Sequence, residues 1–522
     1  MRKIGLALGL ALIAASRAQA YDVVEKDIAT LQADMAAGRI DAAGLVGAYQ
    51  DRIRTVDAQL HSVIALNPNA MAAAQALDAE RKAGHVRGPL HGIPILVKDN
   101  IETLDPMPTT AGSLALANNV THRDAPVVAR LRAAGAIILG KTNLSEWANI
   151  RSTRSISGWS AIGGWTRNPY ALDRSTCGSS AGSGAAVAAS LAAAALGTET
   201  NGSLVCPGSF NGIVALKPTV GLVSRTHTVP ISHSQDTAGP MTRDVADAAL
   251  LLAAMAGTDP SDPVTREADV RRADYAAPVS LRGKRLGVIV PPPEQLNPAV
   301  GVLLERTFSI LKAQGAIVVP VNDFVRPPAA SDEETIVLKY ELKHDMAAYL
   351  QSLPGTGPKT LGDLIAFNSV TPRETTLFDQ DYFEMANAAG DLTDQVYVQA
   401  HADLLASTRA LLDRTLAQYQ LDALIRATND PSFRVDVVHT DNDGPSASFL
   451  PATSGYPHLT VPMGYIDGLP VGLSFIGPAW AEAKLLGLGA AFERAANARR
   501  PPAYLPSLEA TPSMATALAP LP

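Results

Sequence analysis

Cysteine is nearly missing from this chain: 522 residues carry two, Cys177 and Cys206. Two are too few for a disulfide scaffold, and they have no metal-ligand spacing to each other or to a histidine cluster, which argues against a structural zinc site. Net positive charge is missing as well. Lys and Arg total 43 against 50 Asp and Glu, a formal charge of −7, with no basic stripe, so nucleic acid and anionic membrane are not expected partners. Long apolar runs are absent after the first twenty residues, and no later segment has the length to cross a bilayer. Internal repeats and a Pro/Ser-rich linker are lacking too, which favours one large domain.

The N-terminus is the exception. Arg2 and Lys3 precede an apolar stretch from Ile4 to Ala15, and Ala18-Gln19-Ala20 has the small residues of a cleavage site. Residues 1–20 therefore read as a secretory signal whose removal leaves Tyr21 first, in a secreted or periplasmic protein with no stable membrane association. Losing Arg2, Lys3 and Arg17 moves the formal charge to about −10.

From Val24 to about Gly84 the pattern is amphipathic and helical, with Asp41 placed to cap and Leu45, Tyr49 and Ile53 on one stripe. Short β-branched runs follow in "GIPILVKD", "AIILGKTN" and "GIVALKPT", then "RLGVIV", "AIVVPV", "DALIRAT", "HLTVPMGY" and "PVGLSFIG". Helical stretches separate them, among them Pro126–Ala134, Pro298–Gln314, much of Asp332–Tyr419 and 481–498. Such alternation predicts an α/β sheet, with a proline-rich, frayed tail over 501–522.

The stretch from Cys177 to Ser203, "CGSSAGSGAAVAASLAAAALGTETNGS", holds two small-residue loops around an alanine-rich segment. That segment, Ser183 to Leu196, is read as a buried helix that holds both loops rigidly. A phosphate-binding reading fails, because no Gly-Lys-Ser/Thr ends the first loop and no buried strand precedes it. Glycines in "GTETNGS" free backbone N–H groups to turn inward, as an oxyanion hole requires. A serine nucleophile needs a base, yet the Gly-x-Ser-x-Gly elbow is absent and His91, His122, His227, His233 and His458 form no distinguishable set. Lys98, closing an apolar strand, is the better candidate, since desolvation would lower its pKa.

Taken in order, "GPLHGIPILVKDNI", "GAIILGKTNLSEWA", "CGSSAGSGAAVAA", "LGTETNGSLVCPGSFNGIVALKPT" and "GPMTRDVADAALLL" closely resemble the amidase signature family, and within it the bacterial peptide amidases. The specific motifs cover residues 90–257 and return near 445–498, inside a domain spanning 21–500. The resemblance implies a central mixed β-sheet covered by helices on both faces. It further implies Ser203 as nucleophile, Ser179 as proton shuttle after a cis Gly178-Ser179 peptide, and Lys98 as base. Backbone N–H groups of Thr200, Asn201, Gly202 and Ser203 would form the oxyanion hole. No cofactor or metal is expected. The family often has Asp-x-Gly-Gly-Ser where this chain reads Glu199-Thr200-Asn201-Gly202-Ser203, so Asn201 puts a side chain where glycine is usual, to bind substrate or to satisfy its own loop.

The expected partner is a small-molecule or short peptide amide, hydrolysed at its C-terminal carboxamide. Asn149, Arg151, Trp159 and Asn201 are the candidate substrate contacts, and Trp147 and Trp165 are further candidates for the pocket. Amidases of aryl or small aliphatic amides, a tRNA-dependent amidotransferase subunit and a periplasmic binding protein are the alternatives. If the two serine loops meet, Cys177 and Cys206 come near each other, and a disulfide is open to them.

Overall fold

The computed structural model describes residues 21–289, 295–442 and 444–518, so the signal sequence read at 1–20 lies outside the described residues. Eleven strands form one mixed sheet: β1 (Val63–Leu66), β2 (Pro94–Lys98), β3 (Ile137–Thr142), β4 (Ala194–Glu199), β5 (Val214–Lys217), β6 (Thr237–Thr242), β7 (Arg285–Val288), β8 (Ile317–Pro320), β9 (Ala423–Ala427), β10 (His458–Ile466) and β11 (Leu469–Ile476). Their order across the sheet is β1-β3-β2-β4-β6-β5-β10-β11-β9-β7-β8. Helices flank this sheet, giving the single α/β domain that the alternating pattern predicts.

Every residue of β2, β3, β4, β5 and β6 is buried. Central strands covered on both sides read as continuous apolar runs, which is why these segments lack a two-residue alternation. β2 runs parallel to both neighbours, pairing Lys98 with Thr142 of β3 and Val97 with Leu196 of β4. The ends of β2 and β4 therefore deliver Lys98 and Glu199 to the same carboxyl edge, where open α/β sheets bind their ligands.

The alanine-rich segment is shorter as a helix than expected. The helix spans Ala181–Ala188, Ser190 adopts φ +55°, and Ala194–Glu199 is strand. An alanine run carries no periodicity to separate a buried helix from a buried strand, and here sheet pairing with β2 and β6 decides. Around Ile28–Ala36 and Ala42–Val56 the expected helical layer forms, with Asp41 Oδ1 accepting from Gly44 N at 2.8 Å. It also contains β1, which the helical reading overlooks. The C-terminal segment is held rather than frayed at its start: Leu172 N donates to Leu505 O at 2.8 Å, Tyr504 N donates to Pro169 O at 2.9 Å, and Leu508 is buried.

Candidate active site

Lys98 is the last residue of β2 and has none of its surface exposed. Its Nζ lies 2.7 Å from Ser179 Oγ, 2.8 Å from Thr198 Oγ1 and 3.3 Å from the Thr198 carbonyl. Loss of water around the amine pulls its pKa from 10.5 down to about 7, against the opposing charges of Asp236 and Glu199. Asn100 Nδ2 donates to the same Thr198 hydroxyl at 2.9 Å. Thr198 and Asn100 escape sequence reasoning, although both lie inside the quoted motifs.

Ser179 follows a cis peptide from Gly178 and precedes the Ala181–Ala188 helix, fully buried. Ser203 sits in the loop after β4, and 8% of its surface is exposed. The two loops are joined twice. Ser180 N donates to Ser203 O at 3.2 Å, and Cys177 is bridged to Cys206 with Cα atoms 5.8 Å apart. The disulfide left open by sequence is thus formed, and both cysteines line the cavity onto which Ser203 opens.

The Thr200–Ser203 loop is fixed from outside. Thr200 Oγ1 donates to Asp236 at 2.5 Å, and Asp236 also accepts from Ile231 N and Ser232 N at 2.8 and 2.9 Å. The buried Glu199 carboxylate accepts from Leu204 N at 2.8 Å and Val205 N at 3.2 Å, capping the short helix that begins just after Ser203. Gly202 takes φ +85°, a left-handed conformation that glycine adopts without a Cβ penalty. Among the described residues no backbone carbonyl accepts from the N–H of Asn201, Gly202 or Ser203. The Gly202 N–H also stabilises the Glu199 carboxylate.

A cavity of about 870 Å3 runs from this loop, lined by Thr200, Asn201, Gly202 and Ser203 on one side and by residues of the 289–326 and 426–450 segments on the other. Asn149 and Asn201 both reach its wall. The Asn201 amide is engaged on both atoms: Nδ2 donates to Glu334 at 2.8 Å and Oδ1 accepts from Ser448 Oγ at 2.7 Å. Both bonds tie the loop to other segments, while the Asn201 side chain still lines the cavity.

Arg151 and Trp159 are off the cavity. Arg151 is wholly buried, donating through Nε to Glu146 at 2.5 Å and through Nη1 to the Asp379 carbonyl at 2.9 Å, with its guanidinium 4.2 Å from the Phe378 ring centre. Trp159 packs edge-on against that same ring at 5.3 Å. Trp147 likewise sits against Phe383 at 5.8 Å, and Trp165 pairs with Trp159 in a two-residue ribbon. A buried cation with a carboxylate five residues earlier makes its own ion pair, so this loop spends Arg151 on holding Ala148 and Asn149 at the wall. The histidines stay away from the serines: His91 is buried against the Leu77 carbonyl and His458 against Ser474 Oγ.

A sequence profile described as Amidase matches residues 44–486. The chain belongs to the amidase signature family. It is similar to the native peptide amidase of Stenotrophomonas maltophilia, 48% identical with a TM-score of 0.86, over 92% of this chain and 99% of that one. A probable amidase of Arabidopsis thaliana is 36% identical over 503 residues, 93% of each protein. The structure of an amidase family protein from Bacillus anthracis matches at 34% identity with a TM-score of 0.83, covering 92% of this chain and 93% of that one. This amidase is accordingly a hydrolase acting on amide C–N bonds.

Proposed function

We propose that this amidase removes the C-terminal carboxamide of short peptides, releasing ammonia and a peptide acid, outside the cytoplasm after its signal sequence is cleaved. The reading is carried by the 2.7 Å contact between a fully buried lysine amine and Ser179, beside the serine that opens onto the cavity. Likeness to a peptide amidase at 48% identity supports the substrate class, and the apolar run ahead of Ala18-Gln19-Ala20 supports export.

In this mechanism neutral Lys98 takes the Ser179 hydroxyl proton as Ser179 takes that of Ser203. Ser203 Oγ bonds to the amide carbon, and the carbonyl oxygen gains charge that the N–H groups of the 200–203 loop receive. Collapse breaks the C–N bond while the proton returns through Ser179 to the leaving nitrogen. An acyl-Ser203 ester remains. Water, deprotonated by the same relay, then releases the acid and restores Ser203.

The test is ammonia release from amidated di- and tripeptides by purified protein, against anilides and short aliphatic amides. A higher kcat/KM on anilides or aliphatic amides than on every peptide amide would overturn the substrate claim and leave the amidase. Labelling with a fluorophosphonate should add mass at Ser203 and not at Ser179.

A further inference from the structure

Elsewhere on the cavity wall, one buried guanidinium nitrogen and one buried side-chain amide have no hydrogen-bond partner. Arg426 lies near the end of β9, is partly exposed, and pairs with no carboxylate among the described residues; its Nε is buried and has no hydrogen-bond partner. Removal from water alone lowers its pKa from 12.5 to about 10. Asn429 is 1% exposed, and both its Nδ2 and its Oδ1 lack partners. Both residues line the same cavity as Ser203. The fully buried cations Lys141, Lys217 and Arg151 are answered: Lys141 donates to the Ile101 carbonyl and Thr109 Oγ1, Lys217 to the Pro218 carbonyl, and Arg151 pairs with Glu146.

A cation held partly out of water with no counter-charge, and a buried amide with no hydrogen-bond partner, each work against the fold. A fold that leaves both on one cavity wall is stabilised when a ligand supplies what they lack. The guanidinium calls for an anion with paired oxygens, which a carboxylate offers. The amide beside it can both donate and accept, as a peptide group requires. The charged groups around this space are Arg326, whose guanidinium lies 4.6 Å from the Phe449 ring centre, Asp441, whose carboxylate accepts from Ser157 N at 3.1 Å, and Asp430, which lines a small adjoining pocket with Arg426 and Asn429.

We propose that Arg426 and Asn429 form an anion-binding subsite for a carboxylate on the acyl side of the substrate, so that the amidase prefers peptide amides carrying an acidic group at a set distance from the scissile bond. This rests on the amide-hydrolysing reading of the same cavity. Aspartyl or glutamyl side chains and the free carboxylate of an N-terminal succinyl cap share the required chemistry.

The experiment is a series of tetrapeptide amides with one glutamate placed one, two or three residues before the carboxamide-bearing residue, each compared with its glutamine mate, plus succinyl- and acetyl-capped pairs of one neutral peptide. At one placement wild type should favour the acidic member by about tenfold or more in kcat/KM, the scale of a charge-assisted hydrogen bond. Arg426→Gln should bring that ratio close to one while leaving neutral peptides within about threefold, and Arg426→Lys should retain part of it. If the glutamate peptides alone show the preference, the ligand is a side chain; if the succinyl cap alone does, it is a terminal carboxylate. Wild type that hydrolyses these amides with no acidic preference at any placement, or a preference that survives Arg426→Gln, overturns the subsite and leaves the peptide amidase reading standing. Failure on every peptide amide, with anilides cleaved, overturns that reading instead; there, succinate protecting wild type but not Arg426→Gln against thermal unfolding still supports the subsite, and equal protection overturns it.

Discussion

A lysine that is to accept a proton near neutrality must lose its water, and Lys98 has lost all of it. With its pKa near 7, the free amine is the minor form in acid and the major form in mild base. The rate should therefore climb with pH through about 7, with log kcat/KM rising one unit per pH unit on the acid side. A flat profile from pH 5 to 8 would remove Lys98 from the relay. Asp236 is a lever on this value, because its negative charge favours the protonated amine. Asp236→Asn removes that charge at nearly constant shape, and the acid limb should move to lower pH; a shift to higher pH would mean that the variant acts through the Thr200 hydrogen bond and not through charge. Ser203→Ala should cost on the order of 10^4-fold or more in kcat/KM with Tm little changed, and Lys98→Ala or Ser179→Ala should each cost a similar amount, since members of one relay are not additive.

Helix propensity and close packing make opposite demands at Gly182, in the first turn of the Ala181–Ala188 helix. Alanine gains up to about 1 kcal/mol over glycine in a free helix interior. Here its Cβ would fall 2.4 Å from the Ser62 carbonyl oxygen and 2.5 Å from that of Asn143, both backbone atoms that cannot turn aside. Packing wins, so Gly182→Ala should lower stability by about 1–3 kcal/mol in a denaturant titration and slow turnover, since Ser179 lies three residues before it. Gly47→Ala, in the Ala42–Val56 helix with nothing within 4 Å of the new Cβ, should instead stabilise by about 0.5–1 kcal/mol. The same close packing divides what sequence reveals from what it hides. Lys98, Ser179 and Ser203 stand in contiguous motifs whose chemistry is local, and β2, β3, β5 and β7–β11 announce themselves by β-branched runs. β4 is spelled in alanine, and its neighbours β2 and β6, not its own residues, make it a strand. Arg151 and Trp159 are polar and aromatic in a polar loop, and only the fold shows that Phe378, more than two hundred residues away, encloses them both.

Across the whole molecule, the 200–203 loop is gripped by two segments that are themselves clasped together. Asp236 holds Thr200, and Glu334 on the Ala330–Ser352 helix holds Asn201. His233, in the loop that ends at Asp236, reaches that same helix, with Nδ1 2.9 Å from Asp345 and Nε2 3.3 Å from Glu341. Burial works against the charged imidazole, but the Asp345 hydrogen bond and the nearby Glu341 carboxylate outweigh it and raise the His233 pKa above 6.5. Burial also opposes the Asp345 charge, and the His233 hydrogen bond and charge outweigh it, holding that carboxyl below 3.8. A raised histidine stabilises fully below its unfolded value and loses that contribution as pH rises through its folded value; a lowered carboxylate stabilises above its unfolded value and loses its contribution as pH falls through its folded one. The clasp is thus strongest between about pH 4 and 6.5 and weakens over the range in which Lys98 becomes a free base. His233 is 42% exposed, so solvent screening limits the effect to about 0.2–1 kcal/mol. Urea titrations of wild type and His233→Gln should show wild type the more stable at pH 5.5 by about that amount and the two nearly equal at pH 8.5. A difference that stays constant across this range, or grows toward alkaline pH, would mean that His233 holds the helix by packing and not by charge.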